Sequence, residues 1–360
     1  MKVKSTPNVE IKQINHVQQA FREYAVTLHD PIPRQYTFRY EEVPVIEYIF
    51  DGDFAISGAN FHHSYGVIKD NNFYSSDFSK YHSYIKKGKN SPFWDSIGKE
   101  FTLTLDNKKR ISFESPVNLF FNITLYWHWF NEDLPLVKFF QTNDFPIITN
   151  KLADWQKDSL KFFPRILERI VEVETPCIIV SPEFHTFSFP AISYRGKTSK
   201  WVPLWLKQHL VPTVKTEPFK KIYISRGDAQ ARCVENEIEV KEFLCKKGFV
   251  CIDNFSSFTI QEKINLFYSA KIVISPTGAG LTHCHAMQEN TTVIDFGHSF
   301  NIEEEYGWNN TGTAVGIDWH TFAAITGSKS LRSGKGVKKK NDNLIVDLSV
   351  LNEVINRVLD

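Results

Sequence analysis

The sequence predicts an α/β protein of two domains, the C-terminal one a doubly wound parallel sheet, and three observations predict it. The chain has 360 residues, more than one hydrophobic core of roughly 250 residues accommodates. Between Lys221 and Phe296, short apolar runs alternate with amphipathic stretches. Two of those runs end in loops suited to anions, one carrying arginines and the other glycines. Strands alternating with helices at this spacing give a parallel sheet covered on both faces, with a ligand crevice at the strands' carboxyl ends. The predicted division is an N-terminal domain at 1–210, a C-terminal domain at 211–347, and a terminal helix at 348–360. That helix carries Leu348, Leu351, Val354, Ile355 and Val358 on one face, to pack on the sheet or cross back to the first domain.

The N-terminal half has strand-like runs at Val45–Phe50 and Phe101–Leu105. Val117–Phe140 is too long and mixed for one strand, and predicts a strand entering a helix near His128. Asp154–Val171 predicts a helix, Cys177–Val180 a strand, and Ser181–Pro212, with its prolines, an irregular boundary. In the C-terminal half, Lys221–Ser225 is a strand. Val234–Lys247 is a helix with the i,i+4 pairs Glu237/Lys241 and Glu242/Lys246 and a stop at Gly248. Phe249–Asp253 is the next strand, and Thr259 with Glu262 forms a capping box opening another helix. Lys271–Ser275 is a strand, Pro276–Gly280 a tight loop, Leu281–Gln288 a short helix and Thr291–Phe296 a strand.

Composition narrows the function. A net charge of +1 excludes the strongly basic surface that nucleic acid binding requires, so phosphate recognition is local. The five cysteines contain no C-x-x-C pair, which suggests neither a disulfide framework nor a zinc site and fits a reducing cytoplasm. The N-terminus has no apolar signal region, and Val117–Phe130, interrupted by polar residues, falls short of the ~20 residues that span a bilayer. The run Gly327–Lys340 holds Lys329, Arg332, Lys335, Lys338, Lys339 and Lys340; it reads as a solvated loop, or as a peripheral contact with an anionic membrane or a lipid-linked diphosphate. Aromatics reach 14% and serve mainly the core.

Five constellations could carry chemistry. Ser225, Arg226, Arg232, Asn236 and Glu237 lie where a strand hands over to a helix, and guanidinium forks beside helix N–H groups make an anion site. Gly278-Ala279-Gly280, after another strand, lets backbone approach a diphosphate or sugar. His283 occupies the third glycine position of a dinucleotide fingerprint, which disfavours NAD. His128 and Glu132, one helical turn apart with Asp133 beside them, present an imidazole and carboxylates among aromatics, fit either for a buried polar network or for taking a proton from a hydroxyl. Asp51-Gly52-Asp53 resembles a metal-holding D-x-D, but without a nucleotide-binding strand-helix pattern before it a turn is the better reading. His283, Cys284 and His285 are expected to pack rather than to bind metal.

At these residues the chain resembles the family 61 glycosyltransferases, a group with plant, animal and bacterial members. The match runs through Tyr223-Ile224-Ser225-Arg226, Arg232, Asn236-Glu237, Gly248-Phe249, Ala270 with the following strand, Gly278-Ala279-Gly280-Leu281-Thr282 and Val293-Ile294-Asp295. A weaker similarity covers Trp127–Pro135. The resemblance implies a GT-B fold, two Rossmann-like domains facing across a cleft, and inverting transfer of a hexose or pentose without metal or other cofactor. The implied donor-binding residues are Ser225, Arg226, Arg232, Asn236, Glu237, Thr277, Gly278, Ala279, Gly280, Leu281 and Asp295. The base is expected to be Glu132 or Asp133, oriented by His128. The expected partners are a nucleotide sugar and a glycan or lipid-linked acceptor, in bacterial surface polysaccharide assembly at the cytoplasmic face. Two departures stand out: Gly227 where many members have a second arginine, and Thr277 where many have histidine. The alternatives are a non-catalytic nucleotide-sugar binder, against which Glu132 and Asp133 weigh, and a Rossmann-type epimerase or oxidoreductase, against which the missing third glycine weighs.

Overall fold

The computed structural model describes residues 3–4, 10–13, 22–29, 33–40, 45–56, 65–69, 72–75, 109–120, 125–175, 177–187, 190–192, 197–212, 217–230, 232–296, 326–333 and 343–359. The chain forms two compact units, one from 1–17 and 43–191, the other from 18–42 and 192–360. In chain order the strands begin with β1 (Val3–Lys4), β2 (Glu10–Gln13), β3 (Arg22–His29), β4 (Pro33–Tyr40), β5 (Ile46–Ile56), β6 (Tyr65–Lys69) and β7 (Asn72–Ser75). They continue with β8 (Lys109–Ser112), β9 (Val117–Leu119), β10 (Ile147–Asn150), β11 (Ile170–Val173), β12 (Cys177–Phe187), β13 (Ala191–Ile192) and β14 (Lys197–Thr198). The last are β15 (Lys220–Ile224), β16 (Val250–Ile252), β17 (Ala270–Pro276), β18 (Thr292–Phe296) and β19 (Lys329–Ser333). The α-helices are α1 (Tyr126–His128), α2 (Val137–Phe140), α3 (Asp154–Leu160), α4 (Pro164–Leu167), α5 (Trp201–Leu210), α6 (Glu237–Lys246), α7 (Ile260–Tyr268) and α8 (Leu348–Leu359).

The first unit holds a ten-stranded mixed sheet in the order β1-β7-β6-β5-β12-β9-β10-β11, with β2 on β5 and β8 on β12. Strands β8 to β12 pair in parallel, while β5 runs antiparallel to β12 and β6. This unit is therefore only in part the parallel Rossmann-like sheet expected of it. Phe50, Phe54 and Phe184 anchor its core, with the Phe50 and Phe184 rings stacked at 5.2 Å.

Several local expectations change here. Asp51-Gly52-Asp53 is no turn but the middle of β5, with Gly52 at φ 109°. Opposite it, β12 shifts register between Ser181 and Phe184, and a bulge of this kind lets a strand bend without ending. The expected helix Asp154–Val171 is α3 and α4, broken before Pro164, and then β11; proline has no N–H for the helix ladder and sits at the first helical position instead. Strand β12 runs on to Phe187, and the stretch predicted irregular contains α5. Phe101–Leu105 lies outside the described residues.

The second unit holds a seven-stranded sheet in the order β16-β15-β17-β18-β19-β3-β4. Its first five strands are parallel. The chain starts at β15, steps outward to β16, then crosses to β17 on the other side of β15 and continues to β18 and β19. This is the doubly wound arrangement the alternation predicts, with a switch point between β15 and β17. Tyr223, Ile272, Ile274 and Ile294 pack with Val240 and Leu244 of α6 and with Leu351, Val354 and Ile355 of α8. The terminal helix thus joins the core of the second unit. On the opposite face α7 and α5 pack against a 3-10 helix at Ala279–Ala286. Truncating a fully buried residue such as Ile274 or Leu351 costs about 2–5 kcal/mol.

The capping box forms as predicted: the Glu262 N–H donates to Thr259 Oγ1 at 3.2 Å, and the Thr259 N–H to Glu262 Oε2 at 2.8 Å. Two features of this unit depart from the sequence reading. Strand β19 occupies Lys329–Ser333, the first part of the basic run expected to be a loop; residues 334–340 lie outside the described set. Beyond β19 the sheet is extended by β3, in parallel, and by β4, antiparallel to β3. Residues 18–42 and 192–210 therefore group with the C-terminal half, unlike the expected division at 210. Among the described residues no helix is long and apolar enough to cross a membrane.

Candidate active site

The loops after β15 and β17 leave the sheet at its switch point, where crevices of doubly wound sheets bind ligands. In the first loop Ser225 accepts the Gly227 N–H at 3.0 Å, and the Ala229 N–H closes a turn on the Arg226 carbonyl at 3.0 Å. The chain then passes through Arg232 at φ 61°, a left-handed conformation rare outside glycine. That kink turns Arg232 toward the second loop, where its Nη1 donates to the Thr277 carbonyl at 3.3 Å. Its Nε is buried with no hydrogen-bond partner among the described residues.

The Arg226 guanidinium lies against Gly278, where a Cβ would overlap it. A side chain at position 278 would push the guanidinium out of this place. A Cβ at Gly280 would meet Ser275 Oγ at 3.4 Å and Ile224 Cγ2 at 3.5 Å, ordinary contacts. Burial lowers the pKa of Arg226, and burial together with the Arg226 charge lowers that of Arg232 to about 10. Both remain cationic at neutral pH. Two like charges held together and partly desolvated are stabilised by an anion between them. Arg232 thus supplies beside Arg226 a cation of the kind that Gly227 cannot.

The other predicted donor residues are placed as follows. Thr277 does not offer its hydroxyl to a ligand: Oγ1 donates to Asp295 Oδ2 at 2.6 Å, and both residues are wholly buried. Asp295 is behind the loop. Ala279 is exposed, while Leu281 is buried and its N–H donates to the Gly278 carbonyl at 3.1 Å. Asn236 and Glu237, expected to orient the arginines or bind the nucleoside, are engaged elsewhere. The Asn236 side chain exchanges two 2.9 Å hydrogen bonds with the backbone of Val346, tying the segment before α8 to the start of α6. Glu237 accepts from the Tyr223 hydroxyl at 2.7 Å.

In the first unit a helical stretch begins at Tyr126, close to the expected His128. Trp129–Asp133 is a π-helical turn, in which the Leu134 N–H reaches the Trp129 carbonyl. Pro135 follows, and the wider turn accommodates a residue that has no N–H and crowds the carbonyl four residues back. Within it His128 Nδ1 stands 3.1 Å from Glu132 Oε2; the His128 side chain is 20% exposed and that of Glu132 is wholly buried. Asp133 is also buried. The neighbouring aromatics are core: Trp129 packs at 5.4 Å on Phe120, and its Nε1 donates to Ser159 Oγ at 2.9 Å.

Asp53 pairs with Arg110 at 2.6 Å, and among the described residues no three His, Cys, Asp or Glu side chains converge as metal ligands. His283 and His285 are buried with ring centroids 5.7 Å apart. Sequence reasoning missed a second histidine cluster, His185 between Glu47 at 3.1 Å and Glu183 at 2.8 Å. Its signal is the period-two spacing of Glu183 and His185 on one face of β12.

Residues 126–294 match the family model described as Glycosyltransferase 61. The matched stretch opens on the first residue of α1 and closes within β18, and so takes in His128, Glu132, both arginines and the glycine loop. No curated protein matches the chain. Among solved structures, a dodecameric iron-containing heptosyltransferase, TibC, in complex with ADP-D-β-D-heptose is 11% identical over 87% of this chain and 94% of that one, with a TM-score of 0.32. A likeness of that size carries no argument about fold or chemistry.

Proposed function

We propose that this chain, a member of the glycosyltransferase 61 family across residues 126–294, is an inverting glycosyltransferase that works without a metal. It moves a hexose or pentose from a nucleotide sugar to a hydroxyl of a glycan or lipid-linked acceptor. The observation that carries the reading is the meeting of Arg226, Arg232 and the Gly278 backbone at the switch point of the second unit. Such a place suits a diphosphate, and its fixed cations neutralise the charge that grows on the leaving group. Direct displacement forms the bond from acceptor oxygen to anomeric carbon as the bond from that carbon to the phosphate oxygen breaks, and configuration inverts.

The acceptor proton goes to the His128–Glu132 pair. Glu132 or Asp133 was expected to be the base, oriented by His128; the burial of both carboxylates supports the reverse, in which the more accessible imidazole takes the proton and the buried Glu132 holds it. The family resemblance supports a GT-B arrangement of donor and acceptor halves and a role in bacterial surface polysaccharide assembly at the cytoplasmic face.

The test is a thermal-shift screen of nucleotide sugars followed by a transfer assay. A hit whose stabilisation disappears in Arg226→Gln and Arg232→Gln, with transfer unaffected by EDTA, supports the proposal. Activity abolished by EDTA and restored by manganese would sink the metal-free mechanism. Binding without transfer or hydrolysis would make the protein a nucleotide-sugar binder.

A further inference from the structure

Helix α6 ends in a left-handed turn at Gly248, φ +80°. The Gly248 N–H donates to the Cys245 carbonyl at 3.0 Å and the Phe249 N–H to the Leu244 carbonyl at 3.0 Å, the closure by which a helix hands its chain straight back. The chain returns as β16, the edge strand of its sheet, and brings Cys251 beside the last turn of α6. Their sulfurs are 3.4 Å apart. Nothing in the spacing of the cysteines marks this pair; the turn creates it. Both thiols are free, Cys245 exposed and Cys251 half-buried. The other three are placed differently: Cys177 and Cys284 are buried, and Cys233 directs its sulfur at the carbonyls of Arg226 and Ala229.

From this geometry we propose that Cys245 and Cys251 form a dithiol modification site that reacts with low-molecular-weight disulfides and peroxides and closes to an intramolecular disulfide. The Cys245 thiolate attacks one sulfur of the incoming disulfide, forming a mixed disulfide and releasing one thiolate. Cys251 gives its proton to solvent and attacks the Cys245 sulfur; the bond between the two cysteines forms as the mixed disulfide breaks, releasing the second thiolate. The protein gives up two electrons and two protons, and one small disulfide becomes two thiols. With hydrogen peroxide, Cys245 becomes a sulfenic acid with loss of water, and Cys251 displaces a second water.

The order of attack follows from the surroundings. Burial raises the Cys251 thiol to about 12, and the neighbouring Cys245 and the Asp253 carboxylate add to the rise. Cys251 is thus the slower, resolving partner and the exposed Cys245 the point of entry. The bond ties the end of α6 to the sheet edge. It depends on no assumption about sugar transfer.

The experiment treats the full-length protein with oxidised glutathione, or separately with hydrogen peroxide, blocks remaining thiols with N-ethylmaleimide and maps tryptic peptides by mass spectrometry. Trypsin cuts after Lys246 and Lys247, between the two cysteines, so their peptides travel together only if bonded. The expected result is loss of two alkylatable thiols and a linked Cys245–Cys251 pair that dithiothreitol separates. Cys251→Ser should leave Cys245 as a stable glutathione adduct, and Cys245→Ser should leave Cys251 largely unmodified. Both residues fully alkylated after oxidation, or Cys245 linked to a different cysteine, would overturn the proposal.

Discussion

The Thr277 hydroxyl donates to the Asp295 carboxylate at 2.6 Å, both groups wholly buried at the carboxyl end of the sheet. The residue at the mouth of the glycine loop is thereby fastened inward, and its carbonyl is left to hold Arg232. A hydrogen bond to a buried carboxylate contributes about 1.5–3 kcal/mol. Thr277→Val should lower the unfolding free energy in urea by about 2 kcal/mol, and Thr277→Ser should restore most of it. A valine variant as stable as the parent would mean that the bond contributes nothing.

Gly278→Ala separates site geometry from stability. The added Cβ collides with the Arg226 guanidinium, the far end of a long side chain that can swing away. Overpacking a rigid core costs about 1–3 kcal/mol, but here the expected loss is below ~1 kcal/mol. The cost falls instead on nucleoside diphosphate affinity, expected to drop about tenfold or more for one displaced charge-assisted contact. Isothermal titration calorimetry beside a thermal melt reads both; unchanged affinity would place the anion elsewhere.

Arg232 holds a left-handed backbone, a conformation that costs roughly 1–2 kcal/mol in a non-glycine residue. In Arg232→Gly, relief of that strain and of repulsion with Arg226 offsets the lost bond to Thr277, worth about 1 kcal/mol. Transfer should fall about 100-fold or more while stability changes by less than ~1 kcal/mol. A variant that unfolds readily instead would mark Arg232 as structural.

The buried histidines set an acid limit on the fold. Burial lowers His285 from its ordinary 6.5 to about 3, and lowers His283 well below its ordinary value. Below pH 6.5 the unfolded imidazoles take up protons that the folded ones refuse. Stability is therefore complete above pH 6.5 and falls as pH drops toward 3, by up to about 1.4 kcal/mol per pH unit for each histidine. Urea titrations at pH 7, 6 and 5 should show the slope, and His285→Asn should reduce it; a stability flat from pH 7 to 5 contradicts the burial argument.

At the acceptor side, Glu132→Gln keeps the shape of the pair but removes the charge that holds an imidazolium beside it. Turnover should fall at least about 100-fold, the contribution typical of general base catalysis, with its pH profile displaced. Asp133→Asn, which leaves the His128–Glu132 pair in place, should change turnover less. The reverse ranking would return the base to Asp133.

The sequence by itself determined what local chemistry determines. Apolar runs located β15 to β18, the Thr259–Glu262 box opened α7, Gly248 closed α6, and the arginine and glycine loops announced an anion site. Each is set by residues a few positions apart. The tertiary structure decided what depends on distant neighbours. Whether β3 and β4 belong with the C-terminal sheet rests on an edge offered by β19, some three hundred residues away. Asn236 and Glu237 look like ligand groups until Val346 and Tyr223 claim them. Asp51-Gly52-Asp53 reads as a turn until a bulge in β12 lets the strand run through it. The arginines and the glycine loop were legible as residue types, but only the switch point between β15 and β17 puts Arg226, Arg232 and Gly278 in one place, because charges converge by sheet topology and not by spacing along the chain.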